Sequence, residues 1–101
     1  MTIALQGNYG KPRPALVIQS DLFDEHPSTV LLPVTSQLRD TPLFRIAVTP
    51  SVQNGLHIRS QIMVDKPQTV AADKVGPVFG RLEDDALLAV NRALAVFLGF
   101  A

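Results

Sequence analysis

The chain predicts a mainly β fold that ends in one helix, arranged as a small barrel or half-open sheet. Short aliphatic and β-branched runs recur along most of it, separated by Gly, Pro, Asn and Asp at close intervals. Only the last segment carries helical spacing, and 101 residues suit one domain, 1–101, and hardly two.

The runs cover residues 2–6, 15–19, 29–34, 44–49, 61–64 and 75–82. Pro33, inside the third, predicts an edge position or a bulge, because proline cannot donate to a sheet ladder. Between the second and third runs lies a loop over 21–28 containing Pro27, opened by a short turn at Leu22-Phe23. Pro50-Ser51-Val52-Gln53-Asn54-Gly55 forms a turn cluster. Residues 84–98 then read as a helix, with Asp84 and Asp85 in the first turn and Gly99 just past the end. Leu87, Val90, Leu94 and Phe97 fall on one stripe that faces the sheet, while Asn91 and Arg92 mark the wetter side.

Hydrophobic residues make up 47% of the chain, with a mean hydropathy of +0.21. So small a domain has a large surface for its volume, so apolar content that high predicts an oligomer interface, most simply a symmetric dimer. Nine basic and nine acidic residues cancel. No overall positive field of the kind that dominates duplex-DNA binding is present, and any nucleic-acid contact must be local. Cysteine is absent, which removes disulfides, thiolate nucleophiles and cysteine-based zinc sites together and suits the cytoplasm. No charged leader opens the chain and no apolar run reaches transmembrane length, so a soluble, intracellular protein is expected.

The most informative stretch is Gly10-Lys11-Pro12-Arg13-Pro14, followed at once by Ala15-Leu16-Val17-Ile18. Arg13 stands between two prolines at a strand mouth, so backbone freedom is removed on both sides of a charge that never titrates. An arginine held in that way suits a phosphate grip or an RNA contact, or else closes a surface ion pair. Tyr9, the only tyrosine, lies two residues before Lys11 and reads as a platform for a splayed base or as cover for a small apolar patch. Thr35-Ser36-Gln37 places two hydroxyls and an amide at a strand end, where they donate to phosphate oxygens or bases or satisfy local backbone. Asp65 turns one apolar run into the next and reads either as an Asx-type turn closing on backbone amides or as part of a site. His26 and His57 lack metal-ligand spacing, and both read as exposed loop histidines, with His57 the one able to approach a groove. The adjacent acids Asp24-Glu25 and Asp84-Asp85 point apart rather than forming a carboxylate dyad.

These pieces together resemble the MazF/PemK family of toxin components from bacterial toxin-antitoxin pairs. Lys11 to Ile18 is similar to the family's loop and second strand, and Leu32-Pro33-Val34-Thr35-Ser36 to its Pro-x-Thr strand end. Gly55-Leu56, leading to Ser60-Gln61-Ile62-Met63-Val64-Asp65-Lys66-Pro67-Gln68-Thr69, resembles the later strand and turn, and Gly80-Arg81-Leu82 precedes the terminal helix in the same order. The resemblance implies an SH3-like small barrel with an appended helix, a homodimer, and cleavage of single-stranded RNA without a metal or other cofactor. On the family pattern Arg13 and Thr35 correspond to the catalytic residues, with Tyr9, Lys11, Ser36, Gln37 and Asp65 as RNA contacts in the groove. Arginine fits stabilisation of charge on phosphorus as the ribose 2′-OH attacks, and an alcohol orients or polarises the phosphate or the 2′-OH. The partner implied is a small acidic antitoxin whose acidic, apolar tail occupies the same groove.

The chain departs from the family pattern in three places. It begins inside what resembles the first strand, without the Arg-Gly-Asp-like opening of relatives. Gly7-Asn8-Tyr9-Gly10 stands where many relatives carry an acid beside Gln and some a histidine, so no general base is assigned from that loop. Met63 occupies the position at which one branch has an arginine two residues before Asp65. Two rival readings follow: a non-enzymatic gyrase-binding toxin with the same barrel, whose members share a C-terminal Trp-Gly-Ile where this chain has Gly99-Phe100-Ala101, and an inactive binding module.

Overall fold

The computed structural model describes residues 1–6 and 12–100. Tyr9 and Lys11 therefore lie outside the described residues. Seven strands, β1 (Thr2–Gln6), β2 (Arg13–Val17), β3 (Ser28–Thr35), β4 (Arg45–Val48), β5 (Ser60–Met63), β6 (Gln68–Ala71) and β7 (Val75–Arg81), precede one helix, α1 (Asp84–Leu98). The pairing order is β4-β5-β3-β2-β1-β7, with β6 joined to β3 off this path, and the pairs are antiparallel. The sheet is open, the half-open of the two arrangements that the sequence allows, and not a closed barrel.

β3 organises the sheet because its outer partner changes along its length. Ser28 to Leu31 pair with β6, whereas Val34 and Thr35 pair with β5. Pro33 sits at the changeover. Ile18 N donates to Val30 O at 3.1 Å, so residues 30, 32 and 34 face the β2 ladder and the nitrogen of Pro33 points the other way, between the two partners. A proline thus occupies an interior strand without breaking a ladder bond, a third solution besides the edge and the bulge. β6 is not among the runs that the sequence shows; it is a four-residue strand with only Val70 buried, too short to show alternation.

Alternation along β2 and β3 divides the core between the two faces of the sheet. Ile3, Leu16, Leu32, Val34, Ile62 and Val64 form the larger cluster, joined by Val90 of α1 and by Leu82. Ala15, Leu31 and Val70 form a smaller one on the opposite side, with Val75 packed against it. Val90 is fully buried, and Ala86, Leu87, Ala93 and Leu94 pack around the larger cluster from the same helix face. Phe97, expected as the last member of the stripe, is instead 48% exposed. The helix closes in a Schellman motif, with Gly99 at φ 81° and Phe100 N donating to Ala95 O at 2.7 Å. At the other end of the chain order, the short turn at Leu22-Phe23 is a 3-10 turn, Asp21–Phe23, capped by the Ser20 hydroxyl.

The two ends of the open sheet meet through a loop rather than a ladder. The loop after β4 folds back onto β7, where Arg81 N donates to Gln53 O at 2.9 Å. Among the described residues no helix is long and apolar enough to cross a membrane.

Candidate nucleic-acid interface

Strand register determines which side chains meet. Arg13 opens β2 opposite Gln6 of β1. On its other side β2 pairs with β3 as far as Ala15 and Pro33, and that register, extended two residues past the last pair, sets Arg13 level with Thr35. Thr35 pairs in turn with Gln61 of β5. Directly opposed residues project to one face of an antiparallel sheet, so Arg13, Thr35 and Gln61 form a row across three strands. Arg13 is exposed, and among the described residues it pairs with no carboxylate. The ion-pair alternative for this arginine thus finds no partner there.

Thr35 is half-buried at the end of β3, and its Oγ1 accepts the backbone N–H of Gln37 at 3.0 Å. Residues 36–40 then run along β5 under the control of two side chains. Arg45 Nη1 donates to Gln37 O at 2.8 Å and to Gln61 Oε1 at 3.2 Å. Gln61 also holds both backbone groups of Arg39, accepting its N–H at 3.0 Å and donating to its carbonyl at 2.9 Å.

Beside this row lies a groove of about 580 Å³ at the end of the sheet. Arg13 and the hydroxyls of Ser36 and Ser60 supply its polar rim; Pro14, Val34, Leu56, Ile58 and Phe79 supply an apolar floor and wall. Ile58 is 61% exposed, an apolar side chain offered to whatever enters. His57 also lines the groove, as its position after Gly55-Leu56 suggested. A positive edge beside flat apolar surfaces matches a polyanion that carries stackable bases.

The far wall is held by a compact polar cluster. Asn54 is fully buried and makes bonds with both ends of its amide: Oδ1 accepts from Ser51 N and Leu56 N, each at 3.0 Å, and Nδ2 donates to Thr49 O at 2.9 Å and Glu83 Oε1 at 3.0 Å. The Ser51 hydroxyl donates to the other oxygen of Glu83. This bond, aided by the one from Asn54, holds the Glu83 carboxyl below its usual range, against a smaller opposing effect of desolvation. Gly55 follows with φ 71°, a conformation that favours glycine, and presents Leu56 and His57 to the groove.

Of the residues singled out by sequence, Arg13, Thr35, Ser36 and Gln37 are brought together at one end of the sheet. Asp65 is not. It lies past the far end of β5, four residues beyond the Thr35–Gln61 level, with one carboxylate oxygen 3.9 Å from Lys66 Nζ and the other buried without a hydrogen-bond partner. Among the described residues no backbone amide closes onto it, and in place of an Asx-type closure Lys66 N donates to Met63 O at 3.2 Å. Arg45, Gln61, Ile58 and Phe79 were not singled out, and only the Gly80-Arg81-Leu82 motif pointed towards the wall that Phe79 forms.

Fold and groove together define a small mainly β domain that presents one arginine-edged, apolar-floored groove beside a strand-end hydroxyl. The chain belongs to the PemK-like, MazF-like toxins of type II toxin-antitoxin systems, whose family model matches residues 1–98. It is 43% identical to a probable endoribonuclease MazF of Mycolicibacterium smegmatis, over 99% of this chain and 93% of the relative. Its fold is similar to that of Mycobacterium tuberculosis toxin MazF-mt6, with a TM-score of 0.84 at 22% identity over 98% of this chain and 97% of the other. A mycobacterial endoribonuclease in complex with its cognate antitoxin matches with a TM-score of 0.83 at 22% identity, covering 99% and 93% of the two chains. MazF in a MazE-MazF crystal structure from Deinococcus radiodurans matches with a TM-score of 0.82 at 18% identity, covering 99% and 94%.

Proposed function

We propose that this chain is a single-domain endoribonuclease toxin that cuts single-stranded RNA, sequence-selectively and without a metal, at the row formed by Arg13 and Thr35. The observation that carries the reading is an exposed arginine, without a carboxylate partner among the described residues, that the register of Ala15 with Pro33 extended two residues sets level with a strand-end hydroxyl beside an apolar-floored groove. RNA supplies its own nucleophile. The 2′-oxygen attacks the adjacent phosphorus, the bond to the 5′-oxygen breaks, and the products carry a 2′,3′-cyclic phosphate and a 5′-OH. Arg13 stabilises the negative charge that grows on the phosphoryl oxygens, and Thr35 hydrogen-bonds the same group. Bases rest against Ile58 and Phe79, with Ser36 and Gln37 contacting the strand nearby, and the family pattern adds Tyr9 and Lys11 as RNA contacts. The 43% identical relative is named as a nuclease, which favours this chemistry over the gyrase-binding and inactive readings.

The toxin acts in the cytoplasm as a homodimer, and its partner is a small acidic antitoxin. An acidic, apolar tail complements the groove's arginine edge and apolar floor, so antitoxin and RNA compete for one surface. Purified protein incubated with a long single-stranded RNA in EDTA tests the reading. Cleavage persists, the new ends are a cyclic phosphate and a 5′-OH, and Arg13→Ala abolishes cutting. Cleavage that requires a divalent cation, or an Arg13→Ala variant as active as the parent, overturns it.

A further inference from the structure

We infer that Arg45 and Gln61 are positioning residues that hold the Thr35 hydroxyl as a hydrogen-bond donor, acting through the backbone of residues 37–39. The inference rests on the reading of Thr35 as a catalytic residue. A threonine hydroxyl carries one proton and two lone pairs. At the end of β3 the N–H of Gln37 occupies a lone pair of Thr35, while no acceptor among the described residues takes the hydroxyl proton. That proton is therefore open to a phosphoryl oxygen at the end of β3, towards which the register of Ala15 with Pro33, extended two residues, brings Arg13. The oxygen, already accepting, is correspondingly less suited to removing a proton from the 2′-OH.

This arrangement lasts only while Gln37 stays in place, and Gln37 belongs to an exposed segment leaving a strand end, where backbone is ordinarily mobile. Two half-buried side chains remove that freedom. Arg45 takes the carbonyl of Gln37, and Gln61 takes both backbone groups of Arg39 while also accepting from Arg45. Both rise from paired strands, Arg45 opposite Met63 and Gln61 between Thr35 and Ala47, so the clamp is anchored in the sheet that carries the hydroxyl it controls. The second guanidinium nitrogen rests 3.6 Å from Met63 Sδ, which leaves Arg45 directed at the loop rather than at the groove. The polar atoms of both side chains are engaged with the 37–39 segment and with each other, so both act on the reaction through what they hold.

A double-mutant cycle on single-turnover cleavage of a long single-stranded RNA tests this, with Arg45→Met, Gln61→Leu, Thr35→Val and the two combinations with Thr35→Val. Each clamp variant lowers the maximal rate constant about 10- to 100-fold, as expected for a misplaced reacting group. The RNA concentration giving half-maximal rate changes by less than about twofold, because binding contacts remain. In the Thr35→Val background the clamp substitutions cause no further loss. A full additional loss in that background, or a change confined to RNA affinity, overturns the inference. Should Arg45→Met fail to fold, Gln61→Leu completes the cycle by itself. A Thr35→Val enzyme with the parent rate overturns instead the catalytic reading on which the clamp depends.

Discussion

A side chain at Gly80 would place its Cβ 2.0 Å from the carbonyl oxygen of Asn54. The atom it would meet belongs to the backbone, and the segment that carries it is fixed by the four bonds of the buried Asn54 amide. Neither side of this contact yields easily. The loop over 51–56 lies directly on β7, and the groove wall formed by Leu56, His57 and Phe79 exists because these two backbones touch.

Gly80→Ala should therefore destabilise the fold by about 3 kcal/mol, near the upper end for overpacking. Gly55→Ala should behave similarly, since it combines positive φ with a Cβ 2.5 Å from Phe79 O. Gly99 supplies the contrast. Its φ is also positive but nothing lies within 4 Å, so Gly99→Ala should cost only about 1 kcal/mol. Urea unfolding of the three variants decides the matter, and equal midpoints for Gly80→Ala and Gly99→Ala would remove backbone contact as the cause.

Glu83 links the same wall to pH. Its folded pKa lies below the ordinary value of 4.5, so the stability it contributes is fully present above that value and is lost as pH falls through the folded pKa. Glu83→Gln removes this contribution. The variant should be less stable than the parent at pH 7, and the gap should narrow as the pH falls below 4.5 and through the folded pKa, where the parent carboxyl takes up its proton. Urea midpoints of both proteins across that range provide the check; a gap independent of pH would mean that the carboxylate charge contributes nothing.

Local chemistry made much of this fold legible. The helix from Asp84 to Leu98 was readable because acids, an apolar stripe and a terminal glycine agreed. Arg13 and Thr35 were readable because two prolines and a strand-end hydroxyl advertise themselves locally. The clamp was not. Arg45 and Gln61 are neighbours only after β4, β5 and β3 pair, and an Arg and a Gln on short strands look like ordinary solvated positions until the register is known. The choice between a small barrel and a half-open sheet was not legible for a related reason: a loop laid on β7 substitutes for a ladder, and no periodicity in the sequence encodes a backbone contact between Asn54 and Gly80.

RNA binding should carry the electrostatic signature of a groove with few cations. Each phosphate neutralised on a single strand contributes about −0.7 to the slope of log affinity against log salt concentration. Arg13→Gln should reduce the magnitude of that slope by about 0.7, whereas Ile58→Ser should weaken binding at every salt concentration and leave the slope unchanged. Fluorescence anisotropy with an oligonucleotide that contains a non-cleavable 2′-deoxy residue at the mapped cut site separates binding from turnover. An unchanged slope for Arg13→Gln would show that the guanidinium does not reach a phosphate in the bound state.

The position of Phe97 leads to a last expectation, about how α1 is held. Its spacing continues that of Leu87, Val90 and Leu94, yet it is 48% exposed while Val90 is fully buried. Val96 and Leu98 beside it are 66% and 48% exposed, so the final turn of the helix is covered less than the turn that carries Val90. Val90→Ala should therefore cost about 2 kcal/mol by leaving a cavity among Ile3, Leu16 and the other core side chains. Phe97→Ser should cost less than about 1 kcal/mol in the monomer, because little of its contact area is lost from a packed site. Unfolding at protein concentrations from well below to well above any dimer dissociation constant makes the comparison informative. If the Phe97→Ser penalty stays below that of Val90→Ala only at low concentration and grows as concentration rises, the last turn of α1 is covered by a second copy. A large, concentration-independent penalty would instead mean that Phe97 packs within its own chain more tightly than its exposure shows.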